Sequence, residues 1–328
     1  MYDTMVTIMV FVIIFFLYLH IMDQYKTSQD LEIYEMDYTN PVYLQEVCNI
    51  RQPVLFEFRR KICPRIFNAV RMDILCDKDI KSPLVCVKDV DDYWKMETVE
   101  CVPLSFNTFR TLANTDSKSH YYTDNNGLWV DETFVRNEAE KLDEFLKPDL
   151  SVYRRYDLLM GSEGCPTPLQ YHNRYRRYMV VLSGKIRVKM APWKSHKCLH
   201  VVKDYDNYEF RSKINVWTPQ PSYNAEMEQI KFIEFDVHEG YVLYIPPYWW
   251  YSIQFVTSDA LLLSISYDSA MSILANGLHL AKYAIQQYNI KEKITRTFEP
   301  SNGRPVEAED PPSSEPLSNI SEENTPPV

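Results

Sequence analysis

Glycine is scarce in this chain, at 7 residues of 328. So few positions free to adopt left-handed backbone leave little room for glycine-looped nucleotide sites, and neither a Walker, a GxGxxG nor a GxSxG pattern occurs. No CxxC pair exists among the seven cysteines (Cys48, Cys63, Cys76, Cys86, Cys101, Cys165 and Cys198), and their number is odd. A zinc ribbon or a closed disulfide framework is therefore unsupported. Reduced, mostly buried thiols are expected, although the five from Cys48 to Cys101 are free to pair in an oxidising compartment. A basic surplus is also missing: the formal net charge is −10, so no nucleic-acid partner is expected. No repeat of fixed period is present.

What the chain does have is 45% hydrophobic residues and 24 tyrosines, enough for a strand-rich, aromatic-packed body. After a short tip at residues 1–4, Met5–Met22 (MVTIMVFVIIFFLYLHIM) runs for 18 residues without a formal charge. A bilayer core needs roughly 17–25 such residues in a helix. Asp3 precedes the run and bulky Tyr18, Leu19, His20 and Ile21 end it, unlike a cleaved signal peptide. A single-pass membrane anchor is the expectation, with orientation and the membrane itself left open. Residues 23–30 read as a polar connector, 31–290 as one folded domain, and 291–328 as a tail. From Glu299 onward that tail holds seven carboxylates, one arginine and seven prolines, the composition of a disordered segment. It carries a sequon at Asn319.

Within the domain, Thr133–Leu146 and Met271–Tyr288 have apolar residues at helical spacing. Between them the pattern is that of strands. Tyr178–Leu182 (YMVVL) is a continuous apolar run, Ser183-Gly184 a turn, and Lys185–Met190 (KIRVKM) alternates strictly, which reads as a hairpin with one wet face. Phe232–Val237, Tyr241–Ile245 and Leu261–Tyr267 supply further strands. The expected class is mainly β with flanking helices, an antiparallel barrel or jelly roll.

Two segments bring a family into view. GSEGCPTPLQYH followed by YMVVLSGKIRVKMAP, then HEGYVLYIPPYWWYSI, resembles the JmjC and cupin-like proteins, the double-stranded β-helix group related to Fe(II)/2-oxoglutarate oxygenases. NPVYLQEVCNIRQPVLFEF and YYTDNNGLWVD fit the same family's opening segments, so the resemblance covers roughly residues 31–285. It implies a facial triad of two histidines and one carboxylate. Residue by residue, the first histidine falls on Gln170, the carboxylate on His172 and the last histidine on Tyr251. None matches. On the cosubstrate side the implied positions are Thr167, Arg177 and Ile186, where Ile186 replaces a lysine and Arg177 stands at or beside an asparagine. Lys185 and Arg187 point to the opposite face.

The resemblance thus implies a cupin-like fold that has lost its Fe(II) and 2-oxoglutarate ligands, a non-catalytic binding or structural module with an unknown protein or small-molecule partner. Degenerate pocket, anchor and glycine-poor body together would suit a protein of a large DNA virus. Arg174, Arg176 and Arg177 put positive charge where a metal would sit, either filling the site or lying along a solvated strand edge. A working hydroxylase or demethylase would instead need His172 with His196, His200 or His238 and a carboxylate such as Asp157 or Glu239. A sugar- or anion-binding cupin is a third reading. His196, Cys198 and His200 have metal-ligand spacing, but in a stretch that reads as polar loop. His238 reads as an exposed turn residue. Tyr244, Tyr248, Trp249, Trp250 and Tyr251 offer either a ligand cage or barrel packing.

Overall fold

The structure, a computed structural model, describes residues 2–58, 64–77, 83–96 and 99–298. Of the expected disordered tail at 291–328, residues 291–298 instead continue the helix Gly277–Phe298, and the rest, with its sequon, lies outside the described residues, as does Cys63. Met1–Gln287 form one compact unit. In the second, Tyr288–Val328, the described part is the end of a helix.

The described strands, in chain order, are β1 (Tyr34–Met36), β2 (Val54–Glu57), β3 (Val85–Asp89), β4 (Val102–Leu104), β5 (Tyr121–Thr123), β6 (Ser151–Gly161), β7 (Gln170–Tyr171), β8 (Arg176–Ser183), β9 (Lys185–Ala191), β10 (Val201–Asp204), β11 (Glu209–Ser212), β12 (Ile233–His238), β13 (Tyr241–Ile245), β14 (Trp250–Phe255) and β15 (Leu261–Ser269). They form a nine-stranded sheet, β1-β2-β13-β8-β15-β6-β5-β3-β4, and a six-stranded sheet, β10-β11-β7-β14-β9-β12. From β6 to β9, and again from β12 to β15, each strand lies in the sheet opposite its predecessor. That winding is the one expected of a double-stranded β-helix.

It also corrects the hairpin. The apolar run and the alternating run are both strands, but β8 pairs with β13 and β15 while β9 pairs with β12 and β14. The chain crosses between sheets at Ser183-Gly184. Gly184 takes φ +70°, and a Cβ there would come within 2.7 Å of the Ala260 Cα, so the crossing needs glycine. On β9, Ile186, Val188 and Met190 are buried between the sheets. Arg187 and Lys189 face Asp236 and Glu234 across the β12 ladder, where opposite charges pair on the wet face. On β8 both faces are covered. Tyr178, Val180 and Leu182 meet the helices, and Met179 and Val181 meet the other sheet, which is why YMVVL is apolar throughout.

Both expected helices are broken. The first becomes Val135–Glu140 and Asp143–Leu146, because Asp143 turns in to accept hydrogen bonds from the Tyr156 and Tyr267 hydroxyls and from Arg154. The second becomes Ala270–Ala275 and Gly277–Phe298. At the joint, the Asn276 amide donates to the Asn173 carbonyl (3.1 Å) and accepts from the Asn173 side chain (3.0 Å).

The apolar run lies in a helix, Tyr2–Gln24, with none of its residues buried. Its mean hydropathy of 2.6 and its length satisfy a membrane span, and a helix so near the N-terminus satisfies a signal sequence as well. The connector is tied to the body. Buried Arg51 donates to the Asp23 carboxylate (3.2 Å) and to the Lys26 carbonyl (2.7 Å), and the Tyr25 hydroxyl donates to the Ala275 carbonyl.

Candidate functional site

Side-chain alternation on β8 and β14 brings two functional groups to one point between the sheets. Arg177 projects inward from β8, Tyr251 projects inward from β14, and Arg177 Nη1 donates to the Tyr251 hydroxyl at 2.5 Å. β7 hands Gln170 to the same point by pairing with Tyr251, and the turn that follows supplies His172. Together with Asp124, Asn125, Arg155, Asp157, Glu209 and other residues they line a cavity of about 60 Å³.

His172 is 5% exposed, and both of its ring nitrogens are bonded to backbone. Nδ1 accepts the Arg174 amide (3.2 Å), which leaves Nε2 to donate to the Ile245 carbonyl (3.0 Å). Burial, with Arg177 adding to it, holds the imidazole well below the usual histidine range. Burial raises the Tyr251 phenol above its ordinary value, against the pull of Arg177, so it stays protonated at neutral pH.

Behind these residues sits a second constellation that sequence reading missed. Lys88, 0% exposed in its side chain, reaches Asp124 Oδ1 at 2.8 Å and Glu209 Oε1 at 2.5 Å. The Asp124 contact is an ion pair off the hydrogen-bond axis, whereas the Glu209 contact is an aligned hydrogen bond. Glu209 also accepts from Asn125 Nδ2 (2.7 Å) and from the Tyr93 hydroxyl (3.2 Å). Burial pushes the Asp124 carboxyl up to about 6 in spite of Lys88. Asp157 accepts the amides of Asn125 (3.1 Å) and Asn126 (2.6 Å) and is raised by burial, with Arg155 opposing. The available signal was a lysine inside the apolar strand VCVKD, but nothing local pairs it with residue 209.

Of the six positions the resemblance implied, Gln170, His172, Arg177 and Tyr251 line the cavity. Thr167 and Ile186 do not. Thr167 staples the sheet, its hydroxyl accepting the Ile253 amide (2.9 Å) and its carbonyl the Ser252 hydroxyl (2.6 Å). Ile186 packs among apolar side chains. The arginines do not lie along a solvated edge, because β8 is flanked on both sides by strands. Arg176 is buried toward the helices, donating to Asn49 Oδ1 (2.5 Å) and stacking on Tyr175, and Arg174 pairs with Asp268 at 2.6 Å.

The displaced-ligand set does not assemble either. Only Asp157 and His172 of that set reach the cavity. His196, in a 3-10 turn, stacks on Trp193, His200 lies 3.4 Å from Glu226, and His238 is exposed at the end of β12. The aromatic set is no cage. Trp249 and Tyr251 pack between the sheets, Trp250 and Tyr248 pack in a separate cluster with Tyr171 and Phe210, and Tyr244 faces the helices. Among the described residues, one group places three possible metal-ligand atoms within 4.8 Å of one another: Asp89, Asp91 and His120. None of them lines the cavity, and Asp89 already accepts the Asp91 amide.

A family model for the cupin-like domain matches residues 89–276, more than half of the chain. This chain belongs to the cupin-like domain family. The match runs from the end of β3 to the Asn276 joint and takes in every cavity-lining residue named above. Lys88, which contacts two of the acids lining that cavity, stands one residue before the matched part of this cupin-like protein.

Proposed function

We propose that this cupin-like protein is a membrane-anchored, non-catalytic binding or structural module. In it the Arg177 guanidinium stands beside Tyr251, one of the positions where the resemblance implies a metal ligand. One observation carries the reading: Arg177 bonds Tyr251 at 2.5 Å while both nitrogens of His172 are committed to backbone partners. Those residues do not fit Fe(II). An imidazole without a free nitrogen lone pair is no ligand, a neutral phenol is a poor one, and a cation already beside the phenol oxygen repels a second. A cavity of about 60 Å³ also argues against a sugar, since it has room for only about four waters.

The anchor rests on a helix that is apolar all round and buries none of its residues, with only its last turns against the body, an arrangement that suits lipid better than water. The ties from Arg51 to Asp23 and Lys26 favour a retained segment over a cleaved one. The test uses the full chain in detergent, loaded with Fe(II) or Mn(II). The reading expects neither stoichiometric metal nor 2-oxoglutarate consumption. Stoichiometric metal that is lost in His172→Ala, with 2-oxoglutarate turnover, overturns it. Release of the chain from membranes by alkaline carbonate overturns the anchor alone.

A further inference from the structure

At the far edge of the nine-stranded sheet, β3 and β4 bring two cysteines together. The ladder sets Val85 against Leu104, Cys86 against Pro103 and Val87 against Val102. Residues two apart along a strand share a face, so Cys101, two before Pro103, projects on the same side as Cys86 and one diagonal step away. The ladder thus sets the two thiols side by side at the sheet edge, near enough for each to shift the other's proton affinity. Cys101 is exposed and Cys86 half-buried. Among the described residues the other thiols are placed differently. Cys48 and Cys165 are buried, Cys76 accepts from Arg110, and Cys198 donates to Gln229.

We propose that Cys86 and Cys101 form a redox-active pair, which closes into a disulfide on meeting a low-molecular-weight disulfide such as oxidised glutathione. Cys101, as thiolate, attacks one sulfur of the small disulfide. A bond forms from Cys101 Sγ to that sulfur, the small S–S bond breaks, and one glutathione thiolate leaves. Cys86 then gives up its proton and attacks Cys101 Sγ, forming the Cys86–Cys101 bond and expelling the second glutathione. The two thiol protons end on the two glutathione molecules, so the protein is oxidised by two electrons and the small disulfide reduced by two.

The division of roles follows from the surroundings. The Cys101 thiol is drawn down to about 7, first by the neighbouring Cys86 thiol and further by nearby Lys88, which makes it the attacking group near neutral pH. Cys86 is pushed up by the neighbouring Cys101 thiol and by burial, which suits a resolving thiol that reacts only once its neighbour is capped. Its backbone is held, the amide donating to Asn126 Oδ1 (2.8 Å) and the carbonyl accepting from the Thr123 hydroxyl (2.7 Å). Closure therefore draws Cys101 toward Cys86 and ties the edge strand to the sheet.

The experiment treats the reduced full chain in detergent with oxidised glutathione. Intact mass and non-reducing peptide mapping are then read. The expected result is a species lighter by two hydrogens whose map joins Cys86 to Cys101, with a raised melting temperature that dithiothreitol reverses. Cys86→Ser is expected to trap one glutathione on Cys101, and Cys101→Ser to abolish both disulfide and adduct at this edge. Glutathione that stays on Cys101 in the unaltered chain overturns the proposal, as does first reaction at Cys76 or Cys198. Both readouts on the unaltered chain stand even if a serine variant fails to fold.

Discussion

Replacing Lys88 by methionine isolates what the buried ion network contributes. Methionine keeps most of the stem volume and removes the ammonium, so packing loss is small and the electrostatic change dominates. In the native chain the ammonium is in contact with two carboxylates, Asp124 at 2.8 Å and Glu209 at 2.5 Å, and its own side chain is 0% exposed. The variant keeps two acids in one dry site with no cation between them. Breaking a buried pair in this way costs about 3–5 kcal/mol. For a body of this size that lowers the melting temperature by roughly 10 °C at pH 7.5.

The pH dependence identifies the cause. The Asp124 carboxyl sits at about 6 with Lys88 present, above its unfolded value, and removing the lysine raises it further. A carboxyl whose folded pKa exceeds the unfolded one binds more protons when folded, so stability falls as pH rises toward the folded pKa. Lowering the pH from 7.5 to 5 should therefore return up to about 2 kcal/mol to the variant relative to the unaltered chain, whose own Asp124 begins to titrate only near 6. The assay is urea unfolding of the full chain in detergent at both pH values. An equal loss at both, or a loss under about 1 kcal/mol, refutes the view that burial of unpaired charge sets the cost.

Two further outcomes test the site and the crossing. His172 is held well below its ordinary pKa, so the unfolded chain binds a proton that the folded chain resists, and stability falls as pH drops below about 6.5. His172→Gln removes that dependence, and the stability gap between it and the unaltered chain should narrow by about 2 kcal/mol from pH 7.5 to 5. A constant gap in urea unfolding would count against a neutral buried imidazole. Gly184→Ala must place a Cβ at φ +70° within 2.7 Å of backbone, and is expected to cost about 2–3 kcal/mol. Gly277→Ala meets nothing within 4 Å and should be neutral or stabilising by up to ~1 kcal/mol. Thermal melts of both variants that show equal shifts would contradict the steric account.

Much of the frame was legible in the sequence. The strict alternation of KIRVKM announced a strand wet on one face, and β9 is wet on the face that carries Lys185, Arg187 and Lys189. The unbroken YMVVL announced a strand covered twice, which β8 is. Gly184 marked a sharp turn. These are local signals, because side-chain period reports burial directly and a glycine at a forced φ reports backbone shape.

What the chain alone did not reveal lies in pairings between distant residues. Periodicity shows that β8 and β9 are strands but not that they belong to different sheets, because a crossing and a hairpin share the same turn signal. The helix breaks at Lys141-Leu142 and Asn276 come from Asp143 meeting Tyr267, and from Asn276 meeting Asn173, across more than a hundred residues. Arg176 and Arg177 read alike in sequence, yet successive side chains on one strand send the first to Asn49 and the second to Tyr251. Lys88 meets Glu209 because one sheet packs on the other, and Cys86 nears Cys101 because β3 pairs with β4. The sequence by itself determined which stretches are buried and where the chain turns, because those are properties of neighbours along it. Only the tertiary structure decided which charges and thiols meet, because free energies of contact depend on distance in space.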